Sequence, residues 1–382
     1  MSLITTYVQD HQSLVQLCEK LAQSPLLTID TEFVRTRTLY PKLGLLQVSN
    51  GEYSALIDPI TIDNLTPFWD LLTDGGICKV LHACSEDLEV FLTAANCKPV
   101  NMIDSQIMMG FLGHGISFGY AGMVEHYTGV SLDKSESRTD WTKRPLTKKQ
   151  MTYAHADVDY LFQIFPELLA EVTTAGWLEA ARQETQLLIE KKFTPIDENN
   201  LYRNIKMSWR LNPEQLNHLK YLTEWRFQRA QQRDLPLGFV VKDHTMFAVA
   251  AHNPDSLSAM ARLEGVESLD VKHQGKAMLV VLNQSNTVDT ADYPEKIVRL
   301  DEYPNYKQIF KAAKGFVASV ATTSGLGPEI LGSKKQINHF LSWYFKIDAS
   351  NPISKDNVDI LKDWRLTLFG EAFIQFANND FK

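Results

Sequence analysis

The chain has 382 residues, of which 44% are hydrophobic and 22% charged, so it is long enough for two or three domains with substantial cores. Its formal net charge of −8 excludes a uniformly basic surface that would hold nucleic acid non-specifically. No uncharged run approaches the roughly 20 residues that span a bilayer, and the opening segment has no basic leader before an apolar core. We therefore expect a cytoplasmic protein with no membrane partner.

The acidic residues are concentrated in the first half of the chain. Residues 1–195 contain 15 Lys and Arg against 24 Asp and Glu, net −9, whereas the remaining residues contain 23 against 22, net +1. An excess of carboxylates is compatible with a cation site, although solvated helix faces account for most of it. The four cysteines form no CxxC pattern, so neither a zinc site nor a disulfide framework is indicated.

Three short strands are predicted near the start of the chain. The run LLTIDTEF (Leu26–Phe33) is typical of a buried strand that ends in acidic residues. The next two runs, GLLQVS (Gly44–Ser49) and YSALID (Tyr53–Asp58), flank Asn50-Gly51, a dipeptide favoured in tight hairpin turns. These three strands predict an antiparallel meander.

Helices and a further strand follow the meander. CKVLHA (Cys78–Ala83) is predicted as a strand, a helix begins at Ser85, and a long helical stretch covers Lys148–Lys192. This order predicts an α/β fold with a mixed sheet covered by helices.

The polar connector FTPIDENNLYRN (Phe193–Asn204) marks a domain boundary. Helices are predicted over Pro213–Val266 and Tyr303–Phe376, separated by the strand-like AMLVVLNQ and a polar stretch (Asn283–Glu302). We therefore predict one α/β domain and two small all-helical domains, with the boundaries 1–195, 205–285 and 295–382.

Asp30 and Glu32 are the first candidate site residues. They are two positions apart on a predicted strand, so both side chains leave the same face and can approach one cation. Buried carboxylates beside an apolar strand are costly unless they are paired or bind metal. A solvated loop, or a salt bridge to Arg35 or Arg37, is the alternative interpretation.

Further candidates lie on two predicted helices. Asp87 precedes the apolar Leu88 and is closer to the inward helix face than Glu86 or Glu89, although any of these acids also suits the positive end of the helix dipole. His82, just before this helix, is interpreted as a packing or orienting residue.

Tyr153 and Asp157, in YAHADVDYL, are four residues apart and share one helix face. Such a pair is more often an interhelical hydrogen bond than a catalytic pair. Together, however, Asp30, Glu32, Asp87 and Asp157 supply the oxygen ligands that two Mg²⁺ or Mn²⁺ ions would need, and Tyr153 could orient a water molecule.

The segments DTE, HACSED and YxxxD, in this order, resemble the three exonuclease motifs of the DEDD superfamily. The histidine subclass has its His five residues before the last Asp, where this chain has Thr152, so the tyrosine subclass is indicated. The stretch from Lys134 to Leu161 is similar to the ribonuclease D family. Residues Pro213–Val266 resemble an HRDC domain, and the C-terminal helices resemble a second, degenerate copy.

This resemblance implies an RNase H-like exonuclease fold and a metal-dependent 3′-to-5′ exoribonuclease. It also implies release of 5′-mononucleotides from RNA 3′ ends, trimming of tRNA precursors with 3′ extensions, and no obligate protein partner. Arg138, Lys143 and Arg144, which precede the last motif, are predicted phosphate contacts, with a solvated loop as the alternative.

Three other functions are possible from the residues alone. Gly115–Gly119 matches the GxSxG motif of serine hydrolases, but the preceding residues are typical of a helix rather than the strand that this motif requires. A DNA exonuclease could use the same carboxylates, because two-metal chemistry does not depend on the sugar. A noncatalytic RNA-binding protein is disfavoured because all four acids and Tyr153 are present.

Overall fold

The structure is a computed structural model and describes residues 3–382, so Met1 and Ser2 of the predicted first domain lie outside the described residues. A six-stranded sheet organises the first half. Its strands are β1 (Ile4–Val8), β2 (Leu26–Val34), β3 (Lys42–Ser49), β4 (Tyr53–Ile57), β5 (Cys78–Leu81) and β6 (Met102–Asp104).

The order across the sheet is β1-β4-β3-β2-β5-β6. β2, β3 and β4 are antiparallel, which agrees with the predicted meander, and β1, β5 and β6 join in parallel. The sheet is therefore mixed.

Helices cover both faces of this sheet. They are α1 (His11–Leu21), α2 (Thr66–Thr73), α3 (Ser85–Ala95), α4 (Ser105–Met109), α5 (Tyr120–Thr128), α6 (Lys148–Thr174) and α7 (Leu178–Phe193). A π-helical turn, Gly110–His114, follows α4. The predicted single helical stretch is thus two helices, because the chain turns at Gly176 with a φ of +80°, a conformation that glycine adopts without steric cost.

Side-chain alternation along β2 decides what each face of the sheet carries. Leu27 and Ile29 pack in the core that contains residues of α1, α2 and α3. Thr28, between them, points to the opposite face, where its hydroxyl donates to the Val158 carbonyl of α6 at 2.8 Å. Asp30 and Glu32 continue this second series, so the fold directs both acids towards α6.

The middle helical region has its own core and consists of α8 (Pro213–Arg233), α9 (Leu237–Val240), α10 (Asp243–His252), α11 (Leu257–Ala261) and α12 (Ser268–Ser285). The predicted strand AMLVVLNQ is wrong, because these residues belong to α12. Met278, Val281 and Leu282 are buried at the i, i+3, i+4 spacing of a helix, and tertiary packing overrides the local β propensity.

The last region contains α13 (Tyr306–Ser324), α14 (Pro328–Leu331), α15 (Lys334–Tyr344), α16 (Asp363–Arg365) and α17 (Glu371–Asn378), with a π-helical segment, Leu366–Gly370, between the last two. Short 3₁₀ turns complete the chain: Glu198–Asn204, Ser208–Arg210, Thr290–Asp292, Leu300–Glu302, Lys355–Asn357 and Asp359–Leu361. The predicted fold class, a mixed-sheet α/β domain followed by all-helical domains, is confirmed. Within residues 3–382, every helix is too short or too polar to cross a bilayer.

The last helical region shares a hydrophobic core with α4, α6 and α7. Trp364 lies with its ring centroid 5.1 Å from that of Phe111, and the side chain of Gln183 on α7 accepts the Trp364 backbone N–H at 2.9 Å. Arg365 forms an ion pair with Glu184. These contacts make the C-terminal region a packing partner of the α/β domain.

Candidate active site

Three carboxylates meet where β2 faces α6. Asp30 and Glu32 come from β2, and Asp157 comes from α6. One oxygen from each of the three lies within 4.8 Å of the other two. The structure therefore brings together three of the four acids that the sequence predicts as metal ligands.

The helix turn that carries Asp157 is fixed from three directions. In addition to the bond from Thr28 of β2, the Tyr120 hydroxyl of α5 donates to the Ala156 carbonyl at 2.8 Å. Ser54 Oγ on β4 lies 2.7 Å from His155 Nδ1. Bonds on both sides of Asp157 limit rotation and sliding of α6, so its carboxylate is held opposite β2.

Asp87 lies on α3 beside this group and is only 6% exposed. It accepts a hydrogen bond from the Thr31 hydroxyl, which ties it to β2 between the two acids of that strand. Glu86 is exposed, and Glu89 is paired with Arg35 at 2.8 Å. Among the three acids that start this helix, Asp87 is thus the one placed towards the cluster.

Asp104 builds the turn that leads into α3. Its carboxylate accepts the backbone N–H groups of Ala83 at 3.0 Å, Cys84 at 2.9 Å and Gln106 at 2.7 Å. Ala83 has a φ of +57°, which is unfavourable for a residue with a Cβ, so the turn depends on these bonds. Asp104 therefore helps to fix the start of α3, the helix that carries Asp87.

Burial and mutual repulsion disfavour ionisation of the cluster. Burial raises the pKa of Glu32 to about 9, that of Asp157 to about 8 and that of Asp87 to about 7. The pKa of Asp30 is raised by burial and then by its three acidic neighbours. No salt bridge within residues 3–382 involves these four acids. An all-oxygen, uncompensated acidic group fits hard divalent cations.

Tyr153 lies one helical turn before Asp157, close enough for the Asp157 carboxylate to affect the pKa of its phenol. Burial raises the pKa of the Tyr153 phenol, and the neighbouring carboxylates raise it further. The phenol therefore stays protonated at neutral pH. It can donate or accept a hydrogen bond but does not serve as a base.

A cavity of about 200 Å³ opens beside the carboxylates. Its lining includes Asp30, His82, Tyr120, Lys134, Tyr153 and Asp157. The sequence analysis did not select Lys134 or Tyr120. Lys134 begins the segment that resembles the ribonuclease D family, which was the available signal, whereas Tyr120 had no distinguishing pattern.

His82 holds one wall of this cavity. Its Nε2 lies 3.0 Å from the Phe118 carbonyl and its Nδ1 lies 2.9 Å from Ser105 Oγ. Burial lowers the pKa of His82, so the ring is neutral at neutral pH, and one of its two nitrogens donates while the other accepts. These bonds agree with the interpretation of His82 as an orienting residue.

Arg144 is committed to a buried network. Its Nε and NH2 groups donate to the Asp58 carboxylate, each at 2.6 Å, and further bonds reach the carbonyls of Gly44 and Trp141. We therefore correct its interpretation as a phosphate contact, because its donors hold the loop against the sheet. Lys143, with 80% of its side chain exposed, and the exposed Arg138 have no comparable network.

Two other features lie outside this chemistry. Gly115–Gly119 follows a π-helical turn, so the strand that the serine-hydrolase motif requires is missing before Ser117. A larger cavity, of about 760 Å³, lies between the α/β domain and the C-terminal helices, and none of the four acids lines it. Its ionic residues include two pairs, Lys191 with Asp359 and Arg365 with Glu184.

Three family models match successive parts of the chain. They are described as 3'-5' exonuclease over residues 5–173, HRDC domain over residues 215–282, and Ribonuclease D, C-terminal HRDC domain over residues 304–373. Together they span the α/β domain and both helical regions.

Curated relatives match along almost the whole chain. Ribonuclease D of Musicola paradisiaca is 42% identical over 97% of this chain and 96% of its own length, and that of Escherichia coli K12 is 40% identical over 94% and 95%. The crystal structure of E. coli RNase D, described as an exoribonuclease involved in structured RNA processing, matches with a TM-score of 0.93 at 38% identity over 99% of both chains. The chain therefore belongs to the ribonuclease D family and is a metal-dependent exoribonuclease with a 3′-5′ exonuclease domain and HRDC domains.

Proposed function

We propose that this protein hydrolyses RNA from the 3′ end and releases 5′-mononucleotides, with two divalent cations held by Asp30, Glu32, Asp87 and Asp157. The observation that carries this proposal is the group of three carboxylate oxygens within 4.8 Å of one another, from Asp30, Glu32 and Asp157. Asp87 lies beside them, tied to β2 through Thr31. Mg²⁺ and Mn²⁺ both prefer such oxygen ligands.

Hydrolysis requires an attacking water and a stabilised leaving group. When bound, the cations would lower the pKa of the water and neutralise charge that develops on the departing 3′ oxygen. Tyr153, protonated and next to Asp157, would orient the water through its hydroxyl. The new bond joins the water oxygen to phosphorus, the bond from phosphorus to the 3′ oxygen breaks, and that oxygen takes a proton, leaving a shortened RNA with a free 3′ hydroxyl.

Cations around the cavity would hold the RNA backbone. Lys134 lines the same cavity as Tyr153 and Asp157, and Arg138 and Lys143 are exposed in the same loop. Phosphate contacts of this kind position an RNA without reading its sequence. The helical domains would add local contacts, and we retain 1–195, 205–285 and 295–382 as the proposed domain boundaries.

Precursors of tRNA with 3′ extensions are the proposed substrates. This proposal rests on the family and on the E. coli relative, which is described as processing structured RNA. The main rival is exonuclease activity on DNA, because two-metal chemistry does not depend on the sugar, and contacts with the 2′-hydroxyl would decide between the two substrates.

The test is release of labelled mononucleotide from a 3′-extended tRNA and from a DNA of the same sequence, with Mg²⁺, Mn²⁺ or EDTA. We expect cation-dependent release from RNA by the wild type and loss of activity in Asp157→Asn and Asp87→Asn. Glu86→Gln, an exposed neighbour on the same helix, is the matched control and should stay active. Equal cleavage of DNA would broaden the substrate class, and no release with either cation would refute the proposal.

A further inference from the structure

Gln47 lies on β3 directly opposite Asp30 on β2. Residues opposite each other in an antiparallel pair project from the same face with their Cβ atoms about 5 Å apart. The Gln47 side chain therefore projects towards α6, next to the carboxylate cluster. It is fully buried, with 0% of its surface exposed.

Both polar atoms of the Gln47 amide, Nε2 and Oε1, are buried without a hydrogen-bond partner among the described residues. Leaving buried donors and acceptors unpaired costs about 1 to 3 kcal/mol for each group. Thr28 and Ser54, on the same face, are paired with the backbone of α6 and with His155. In the layer between the sheet and α6, Trp141 Nε1 and Asp159 Oδ1 are also buried without a partner, but for each of these residues only one atom is unpaired. Among these buried side chains, Gln47 alone has both a donor and an acceptor without a partner, which packing of the fold does not explain.

Asp30 has the complementary deficit. No side chain within residues 3–382 donates a hydrogen bond to its carboxylate. A carboxylate that ligates a cation needs outer hydrogen bonds to fix which oxygen faces the ion. On adjacent strands, the Gln47 amide N–H thus has no acceptor and the Asp30 carboxylate has no side-chain donor.

We infer that Gln47 is a positioning residue whose amide N–H donates to the carboxylate of Asp30 when a divalent cation occupies the cluster. The inference rests on the proposed function, because it requires Asp30 to be a metal ligand. A neutral amide suits this role, since a lysine at the same place would compete with the cation for the acidic group. An apolar side chain would leave the Asp30 carboxylate free to rotate.

The competing explanation is that Gln47 only fills space in the layer between the sheet and α6. The two explanations differ in metal affinity, which a space-filling residue does not affect. Gln47→Met preserves the unbranched shape and removes both polar atoms. Thr6→Val is the matched control, because Thr6 Oγ1 is also buried without a partner, but on β1 at the sheet edge.

The experiment is calorimetric titration of the full-length protein with Mn²⁺, accompanied by thermal melting in EDTA. We expect Gln47→Met to bind Mn²⁺ about 10- to 100-fold more weakly than wild type, the usual effect of losing an outer hydrogen bond to a metal ligand. Thr6→Val should bind Mn²⁺ like the wild type. Neither substitution should lower the melting temperature in EDTA, because neither removes a hydrogen bond that the structure contains.

Asp30→Asn separates failure of this inference from failure of the proposed function. If wild type binds no Mn²⁺, or Asp30→Asn binds it equally well, the metal-site assignment itself is refuted. If Asp30→Asn loses binding while Gln47→Met retains wild-type affinity, only the role of Gln47 is refuted. Gln47→Leu, titrated in parallel, provides the same comparison if methionine packs poorly.

Discussion

Replacing Asp157 by asparagine should stabilise the protein when divalent cations are removed. Burial raises the folded-state pKa of Asp157 to about 8, against an ordinary value of 3.8. Between these values the folded protein retains a proton that the unfolded chain has released. The free energy of unfolding therefore falls by up to about 1.4 kcal/mol per unit as the pH rises from 4 to 8. Asparagine is close to aspartate in size and shape and does not titrate, so it has no such cost.

The size of this destabilisation follows from the difference between the folded-state and ordinary pKa values of Asp157. At pH 7, about three pH units above the ordinary value, the Asp157 penalty has an upper limit of about 4 kcal/mol, and partial solvent exposure reduces it to about 2 kcal/mol. Urea unfolding of wild type and Asp157→Asn in EDTA, at pH 5 and pH 8, measures this difference in the free energy of unfolding. Glu86→Gln is the control and should have the same free energy of unfolding as the wild type. Saturating Mg²⁺ should stabilise wild type more than Asp157→Asn. A variant no more stable than wild type at pH 8 in EDTA would refute the reasoning.

Tyr153→Phe should lower kcat by about 10- to 100-fold, as expected for loss of a hydrogen bond that positions the water, while Mn²⁺ affinity stays within about twofold. A large loss of Mn²⁺ affinity would instead make Tyr153 part of the metal site. Mg²⁺ binding at pH 7.5 should release protons, because burial raises the pKa of Glu32 to about 9 and a ligand must be ionised. Calorimetry in buffers of different ionisation enthalpy should therefore give different heats, and equal heats would contradict this. Arg144→Ala should destabilise the fold by about 3 kcal/mol, because it leaves the buried Asp58 unpaired, without changing the KM for RNA. Lys134→Ala should raise KM with little effect on unfolding, and the reverse pattern in these two variants would identify Arg144 as the RNA contact.

Local sequence patterns were sufficient to predict a site residue where that residue lies on a regular helix or strand. The two-residue spacing of Asp30 and Glu32 and the four-residue spacing of Tyr153 and Asp157 each predict a shared face, and the structure has both pairs on the faces that meet. Four of the six strands, β2 to β5, were predictable for the same reason, because apolar runs and Asn50-Gly51 are local signals. The two edge strands, β1 and β6, were not predicted.

Features that depend on distant partners were not predictable. Arg144 looked like a free cation because its partner, Asp58, is 86 positions earlier in the chain. The position of Gln47 opposite Asp30 depends on the register of β2 and β3, which a single strand pattern does not contain. The strand predicted within α12 failed because its β-branched residues favour a strand locally, whereas the burial of one helix face decides the outcome.

The hydrophobic core shared by α4, α6, α7 and the C-terminal helices has a consequence for synthesis on the ribosome. The rings of Phe111 and Trp177 both contact Trp364. These contacts can form only after the last residues of the chain have been synthesised. A nascent chain that ends near residue 195 therefore exposes part of its core and leaves α6, the helix of Tyr153 and Asp157, incompletely supported. We therefore expect a competent nuclease to assemble only when translation is almost complete, which would limit the time in which a half-made enzyme could attack RNA.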